Sequence, residues 1–481
     1  MQTPPPADMR ETADAGVGPS WWGRAVESRF GYSVASAPLM ARSAFRKELL
    51  ATTFMPFLLV AFDGTVVAVL IRIAFENRPG VSDGLLNSMT ALAAVSAPLA
   101  NITSFIWTRI SHGMPKVRFV TTLQLVIVAL VVSIALVPFN SFGLAWTITA
   151  VLLSRACWSG IMTIRSTIWK ANYPDGARAR LTGKFATVQV VSMALLSIGL
   201  AVAMEQAEWA FRVLLPIGCV MGLVGRQLWC SMPVRHERQL LRDELQAGDK
   251  GPSFNPVAMV RILAGDRSFA VFMLFQFLLG LGNITSMGLV AVVLRERFGV
   301  EYLEGMLINT AVPLVLMAST VPLWAKFVDR VHIVEFRAVH SWVFVVALLA
   351  MSWGLHTDQL WLVFAFAAIK GIAFGGGALA WTLGHLDFAP PGQVSNYMGV
   401  HVTLTGVRGV LAWVVGIAMY ERAEAFMPGA GSVVFTICAL ITMAGALGFV
   451  WMAKQRQRDR QADRSEPHPV DEVSGPARVG T

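Results

Sequence analysis

Apolar stretches near the length of a bilayer crossing recur along the whole chain, at roughly 50–73, 86–107, 118–138, 143–165, 184–204, 208–231, 268–293, 303–324, 335–354, 360–383, 396–419 and 431–453. About 20 residues of helix, at 1.5 Å per residue, match the hydrocarbon core of a bilayer. A lone strand in lipid leaves backbone groups unpaired, and a closed barrel needs an alternating polarity that these stretches lack. The expected fold is therefore an all-α integral membrane protein with twelve transmembrane helices. Composition agrees, with 55% hydrophobic and 14% charged residues, where soluble chains average about 25% charged.

The twelve segments read as two sets of six. Pro174-Asp-Gly176, Gly183 and Thr187 match Pro390-Pro-Gly392, Gly399 and Thr403, each pair 216 residues apart. Arg155-x4-Gly160 matches Lys370-x4-Gly375 at 215, and Trp107 to His112 matches Trp324 to Asp329 at 217. Phe54-Met55-x-Phe57 matches Phe272-Met273-x-Phe275 at 218. The slow drift is what loop insertions produce in a duplicated chain. The expected organisation is a tail at 1–48, a six-helix half at 49–232, a linker at 233–266, a second half at 267–453 and a tail at 454–481. Both halves run through the membrane in the same order, the parallel kind of repeat seen in transporters.

The net charge of +9 does not point to nucleic acid, because the cations cluster between apolar segments. Arg109, Lys116 and Arg118 follow the second segment, and Arg165, Lys170, Arg178, Arg180 and Lys184 follow the fourth. Lys326, Arg330 and Arg337 follow the eighth, whereas the third-to-fourth and ninth-to-tenth loops have no Lys or Arg. The positive-inside rule then puts both termini in the cytoplasm, at a bacterial inner membrane. Val234 to Leu245 in the linker has the pattern of a short surface helix. Trp21, Trp22 and Phe30 with Arg24, Arg29 and Arg42 suit either a membrane-surface contact or a loose tail. The basic run Lys454 to Arg460 is solvated or rests on anionic headgroups. Cys157, Cys219, Cys230 and Cys438 have no spacing that implies a disulfide or a metal.

Two parallel six-helix halves with a long linker and both ends on one side resemble the major facilitator superfamily, over about residues 49–453. Members carry a loop motif after helices 2 and 8, Gly-x-x-x-Asp-Arg-x-Gly-Arg-Arg in its fuller forms. Ala325-Lys-Phe-Val-Asp329-Arg330-Val-His332 keeps the Asp-Arg and departs at both Gly positions. Thr108-Arg-Ile-Ser-His112-Gly113 has His for the Asp. The resemblance implies a latch at the cytoplasmic face built on Asp329 and Arg330, with His112 in the altered copy. Arg155-x4-Gly160 is similar to the family's helix 4 motif of proton antiporters, Arg-x-x-Gln-Gly, with the Gly displaced and the Gln absent. The resemblance further implies a monomer in membrane lipid that moves a small molecule, with no cofactor.

Ionisable side chains inside spans are costly and therefore candidates for function. Asp63 lies about thirteen residues into the first segment, and Arg155 at a similar depth in the fourth. Such a pair either couples protons, by breaking on protonation, or permanently ties two helices. Lys370 and Arg408 have no acid at their depth in the second half, which suits an anionic ligand group. The alternatives are Arg408 on backbone carbonyls and a snorkelling Lys370. Gln276, Asn283, Gln189, His401, Thr403 and Thr405 either complete a polar cavity or bond helix to helix. His385-Leu-Asp387 is read as a gate or a loop cap, with a metal site including His401 as a remote alternative.

No clustered nucleophile, base or metal set suggests an enzyme, and no Walker-type loop suggests ATP drive. The reading is a proton-coupled secondary transporter of a small organic solute, anionic if the buried cations serve it. Its alternatives are a multidrug–proton antiporter and a non-transporting sensor or assembly factor on the same fold.

Overall fold

The structure, a computed structural model, describes residues 34–246, 256–299, 305, 307–427 and 429–465. The tail contact expected of Trp21, Trp22 and Phe30 lies outside them. Every regular element among the described residues is helical. Among the described residues nine helices are long and apolar enough to cross a bilayer, eleven if each of two bent pairs is one span, and Val312–Val328 is a shorter apolar helix. Together they occupy the twelve expected positions.

Span 1 is Arg42–Leu59, continued by a 3-10 turn at Val60–Phe62 into Gly64–Phe75. Span 2 is Asp83–Ala94, Ser96–Ile102 and Ser104–Ile110. Spans 3 to 6 are Lys116–Ala135, Ser141–Asn172, Asp175–Gln206 and Phe211–Cys230. Spans 7 to 12 are Arg267–Phe298, Val312–Val328, Ile333–His356, Leu360–Leu383, Val394–Phe426 and Ser432–Ser465. In the linker Glu237–Gln246 is helical, and Val257–Gly265 is a second short helix the sequence pattern did not suggest.

Several helices outrun their apolar stretches. Span 1 begins at Arg42, inside the segment expected to be tail, because Arg42 to Glu48 continue the helix beyond the apolar limit. Lys116, Arg165 and Arg337 were expected in loops, and all three are buried in helices. Arg109, Arg118, Lys170, Arg178, Arg180, Lys184 and Lys326 also lie within helices, Arg178 buried as well, and only Arg330 of the expected loop cations sits outside one.

The breaks in the helices have local causes. Span 1 stops at Asp63, whose backbone is extended at φ −67° and ψ 126°. Its carboxylate Oδ1 accepts from Val66 N at 3.4 Å, and its carbonyl accepts from Val67 N at 2.8 Å. Asp63 is thus the N-cap of the second piece, a favoured role for Asp. Span 2 bends by 56° at Val95, just before Pro98, which cannot donate a hydrogen bond. Its repeat partner Pro313, 215 residues on, opens span 8 just after a π-helical turn at Leu307–Ala311.

The halves meet along two equivalent crossings. Gly183 of span 5 faces span 8, where a Cβ would stand 3.1 Å from Val321 Cγ1 and 3.5 Å from Ala325 Cβ. Gly399 of span 11 faces span 2, where a Cβ would stand 2.7 Å from Thr108 Cγ2. Ser104 Oγ donates to Gly399 O there at 2.9 Å. Gly183→Leu and Gly399→Leu are each expected to cost about 1–3 kcal/mol through overpacking. Thermal unfolding of both variants checks this, and unchanged melting in both would contradict it.

On the face that carries the described chain ends, His332 caps span 9. Its Nδ1 accepts from Val334 N at 3.3 Å, which requires an unprotonated ring nitrogen. Burial, helped by nearby Arg456, pushes its pKa down to about 4. A base lowered on folding binds more protons in the unfolded chain, so stability falls as pH drops from about 6.5 toward 4. The melting temperature is expected to drop by on the order of a few degrees between pH 7 and 5. His332→Asn is expected to flatten that slope.

Candidate functional site

Spans 1 and 4 are joined by two acid–arginine pairs of very different character. Midway along span 4, Arg155 Nη2 donates to Asp63 Oδ2 at 2.9 Å. The Arg155 guanidinium also lies 5.4 Å from the Phe62 ring. The side chains are 15% and 31% exposed, and Arg155 Nε has no protein partner. The acid of this pair sits where span 1 is broken, so one carboxylate serves both the helix cap and the ion pair. Broken helices at membrane depth are a common setting for binding and coupling groups.

The second pair was not among the sequence candidates. Glu48 is wholly buried. Its Oε1 accepts from Arg165 Nε at 2.9 Å and Trp169 Nε1 at 2.7 Å, and its Oε2 accepts from Tyr173 OH at 2.5 Å. The Arg165 guanidinium lies over the rings of Trp169 at 4.6 Å and Trp229 at 5.4 Å. Two signals in the sequence could have found it. Arg165, Trp169 and Tyr173 are spaced i, i+4, i+8, one stripe of a helix. Glu48 also has a repeat partner 218 residues on, Asp266, which accepts from Tyr397 OH at 2.9 Å.

The second half holds a cavity of about 340 Å³. Gln276, Asn283, Arg408 and Thr405 line it, with Arg337 and Trp381. Apolar wall comes from Leu279, Met287, Met317, Phe344 and Phe374. Arg408 Nη1 donates to the Gln276 carbonyl at 2.5 Å, which is the backbone contact weighed from the sequence. Lys370, Gln189 and His401 are not in the lining. Lys370 is buried, with its ammonium 5.1 Å from the Phe366 ring and 5.6 Å from the Phe374 ring. His401 is buried 5.6 Å from the Trp381 ring and 6.4 Å from the His385 ring. Thr403 bonds across to span 2, toward Ile102 O and Ser104 Oγ at 3.4 Å. Asp387 caps span 9, its Oδ2 accepting from Ile333 N at 2.8 Å. Among the described residues no group of three His, Cys, Asp or Glu is placed to hold a metal.

The loop motif lies on the face that carries the described chain ends, and its two copies are bonded differently. Asp329 accepts from Ala179 N at 2.7 Å, Arg180 N at 3.1 Å and Arg180 Nε at 2.9 Å, in the second turn of span 5 of the other half. Arg330 lines the basic pocket beside it, of about 520 Å³. In the first copy His112 has no such carboxylate to offer. The acid comes instead from the linker helix. Glu244 accepts from Gly113 N at 2.9 Å and from Lys116 Nζ at 2.7 Å, wholly inside the protein. Burial holds the His112 imidazole below its ordinary range, against the pull of Glu244.

This architecture, two six-span halves with a loop motif at one face, has clear relatives. The Major Facilitator Superfamily profile matches residues 52–412. The chain belongs to the major facilitator superfamily. The proton:xylose symporter XylE is similar at 13% identity and TM-score 0.65, over 85% of this chain and 96% of that one. The human organic anion transporter MFSD10 is similar at 14% and 0.61, over 86% and 100%. The fucose:proton symporter FucP of E. coli is similar at 11% and 0.61, over 84% and 99%. At such identities the likeness shows the fold alone. No curated protein sequence matches the chain. Members of this family are membrane transporters rather than enzymes.

Proposed function

We propose that the protein is a secondary active transporter that moves a small organic solute by alternating access and couples that movement to protons through Asp63 and Arg155. The observation that carries this is the contrast between the two pairs joining spans 1 and 4. The Glu48–Arg165 pair is enclosed, with both Glu48 oxygens bonded, as a permanent tie should be. The Asp63–Arg155 pair is part-exposed and sits at a helix break. A proton on Asp63 removes the charge that holds Arg155 and that favours the N-terminus of Gly64–Phe75. Span 1 is then free to shift against span 4. Loss of the proton restores both interactions.

In this reading the Asp329 latch and the Glu244 linker contact hold the cytoplasmic face shut in the state seen. Both termini lie in the cytoplasm of a bacterial inner membrane, and the protein acts as a monomer. Single cysteines at Asn140 and Thr357 are expected to label from outside, and one at Met114 only from inside. The reverse pattern would sink this orientation. A second reading, proton-coupled efflux of amphipathic drugs, draws on the apolar walls of the second-half cavity. The test begins with thermal-shift screening of the purified protein against a metabolite library, because a ligand of the native state stabilises it. Flux of each stabilising solute into and out of proteoliposomes under an imposed proton gradient then follows. Gradient-driven uptake supports symport and gradient-driven extrusion supports efflux. Flux indifferent to the gradient contradicts coupling.

A further inference from the structure

We infer that Arg337 and Arg408 form the seat for an anionic head group, so that the transported solute is an organic anion with an apolar body. This rests on the transporter reading and names its substrate class. Arg337 is only 2% exposed and Arg408 is also buried, and both line the same second-half cavity. Among the described residues neither forms an ion pair with a carboxylate.

What each guanidinium does bond leaves its charge unanswered. Arg337 Nη1 meets His340 Nδ1 at 3.3 Å, while His340 Nε2 meets Ala373 O at 2.8 Å. A carbonyl only accepts, so Nε2 carries the ring proton and Nδ1 accepts from Arg337. His340 is therefore a neutral partner. Arg408 likewise donates to a neutral acceptor, the Gln276 carbonyl. The Nε of each arginine is buried without a protein partner. Two like charges held in one low-dielectric wall are costly unless a counter-charge completes them. A guanidinium presents a planar fork that fits the paired oxygens of a carboxylate, sulfonate or phosphate.

The rest of the lining fixes the other end of the ligand. Leu279, Met287, Met317, Phe344 and Phe374 give an apolar chamber, of the size range that holds small organic ligands. Lys370 is not part of the seat, because its ammonium rests on Phe366 and Phe374 rather than in the lining.

The test is calorimetric binding to the purified full-length protein in detergent, with 4-phenylbutyrate, 4-phenylbutanesulfonate and the uncharged 4-phenylbutyramide as probes. Both anions are expected to bind at least tenfold more tightly than the amide. Arg337→Gln and Arg408→Gln are each expected to weaken the anions at least tenfold, and Lys370→Gln to leave them unchanged. Gly280→Ala keeps every charge but places a methyl against the Arg408 guanidinium, and it is expected to weaken the anions selectively. Equal binding of amide and anion by the wild-type protein, which needs no variant, overturns the proposal. So does unchanged anion affinity in a folded Arg337→Gln. Binding is read without a membrane or gradient, so failure here leaves coupling at Asp63 standing. Conversely, Asp63→Asn is expected to keep the anion preference even where coupling is lost.

Discussion

Glu48→Ala is expected to lower the stability of the detergent-solubilised protein by about 3–5 kcal/mol, the range for breaking a buried ion pair by removing one partner. The loss is large because Glu48 answers three donors at once, from Arg165, Trp169 and Tyr173. Truncation leaves the Arg165 charge inside an aromatic enclosure with no acid. Tyr173→Phe removes a single hydroxyl donor to a charged acceptor and is expected to cost about 1.5–3 kcal/mol. Replacing the pair together, as Glu48→Leu with Arg165→Met, is expected to cost less than Glu48→Ala alone, because no charge is then stranded. Thermal or denaturant unfolding of these proteins, with Glu48→Leu and Arg165→Met as separate single changes, reads this directly. A double variant as unstable as the sum of its single changes would count against a paired role.

The spans and the duplication were legible because the bilayer forces them. About 20 apolar residues per crossing is a demand no tertiary contact relaxes, and the matched positions kept their order across the halves. Gly183 and Gly399 show how far that reached, since the equivalent glycines fall at equivalent crossings. Hydropathy says little about where a helix ends or which way a side chain points around it. Arg337, Lys116 and Arg165 looked like loop charges because they flank apolar stretches, yet each turns inward on a helix that runs past the stretch. Glu48 was hidden for the same reason, in the polar run Arg46-Lys47-Glu48. Lys370 and His401 lay at plausible depths, but depth alone does not place a side chain in a cavity lining. Glu244 shows a different limit. The first loop motif has no Asp at His112, and nothing local foretold that an acid more than 100 residues away would serve that face.

Asp63→Asn is expected to abolish accumulation of solute against its gradient while leaving exchange at equal pH largely intact. Asn is nearly isosteric with Asp and still caps the second piece of span 1, so the fold should persist. It cannot take up and release a proton in the working pH range, so the step that links proton and solute is gone. Arg155→Ala is expected to behave in the same way for a complementary reason. Without Arg155 the carboxylate has no counter-charge in a poor solvent, and its protonation no longer breaks anything. The two variants together are expected to be no worse than either alone, since both remove one interaction. Additive losses would mean that the residues act separately.

Whether the Asp63–Arg155 contact couples protons to transport is decided by comparing one variant with the wild type. Wild-type and Asp63→Asn protein are reconstituted at matched density, with a solute first shown to stabilise the wild type. Gradient-driven accumulation and gradient-free exchange are then measured side by side. Both activities are expected in the wild type, and exchange without accumulation in Asp63→Asn. Full gradient-driven accumulation by Asp63→Asn would contradict that coupling.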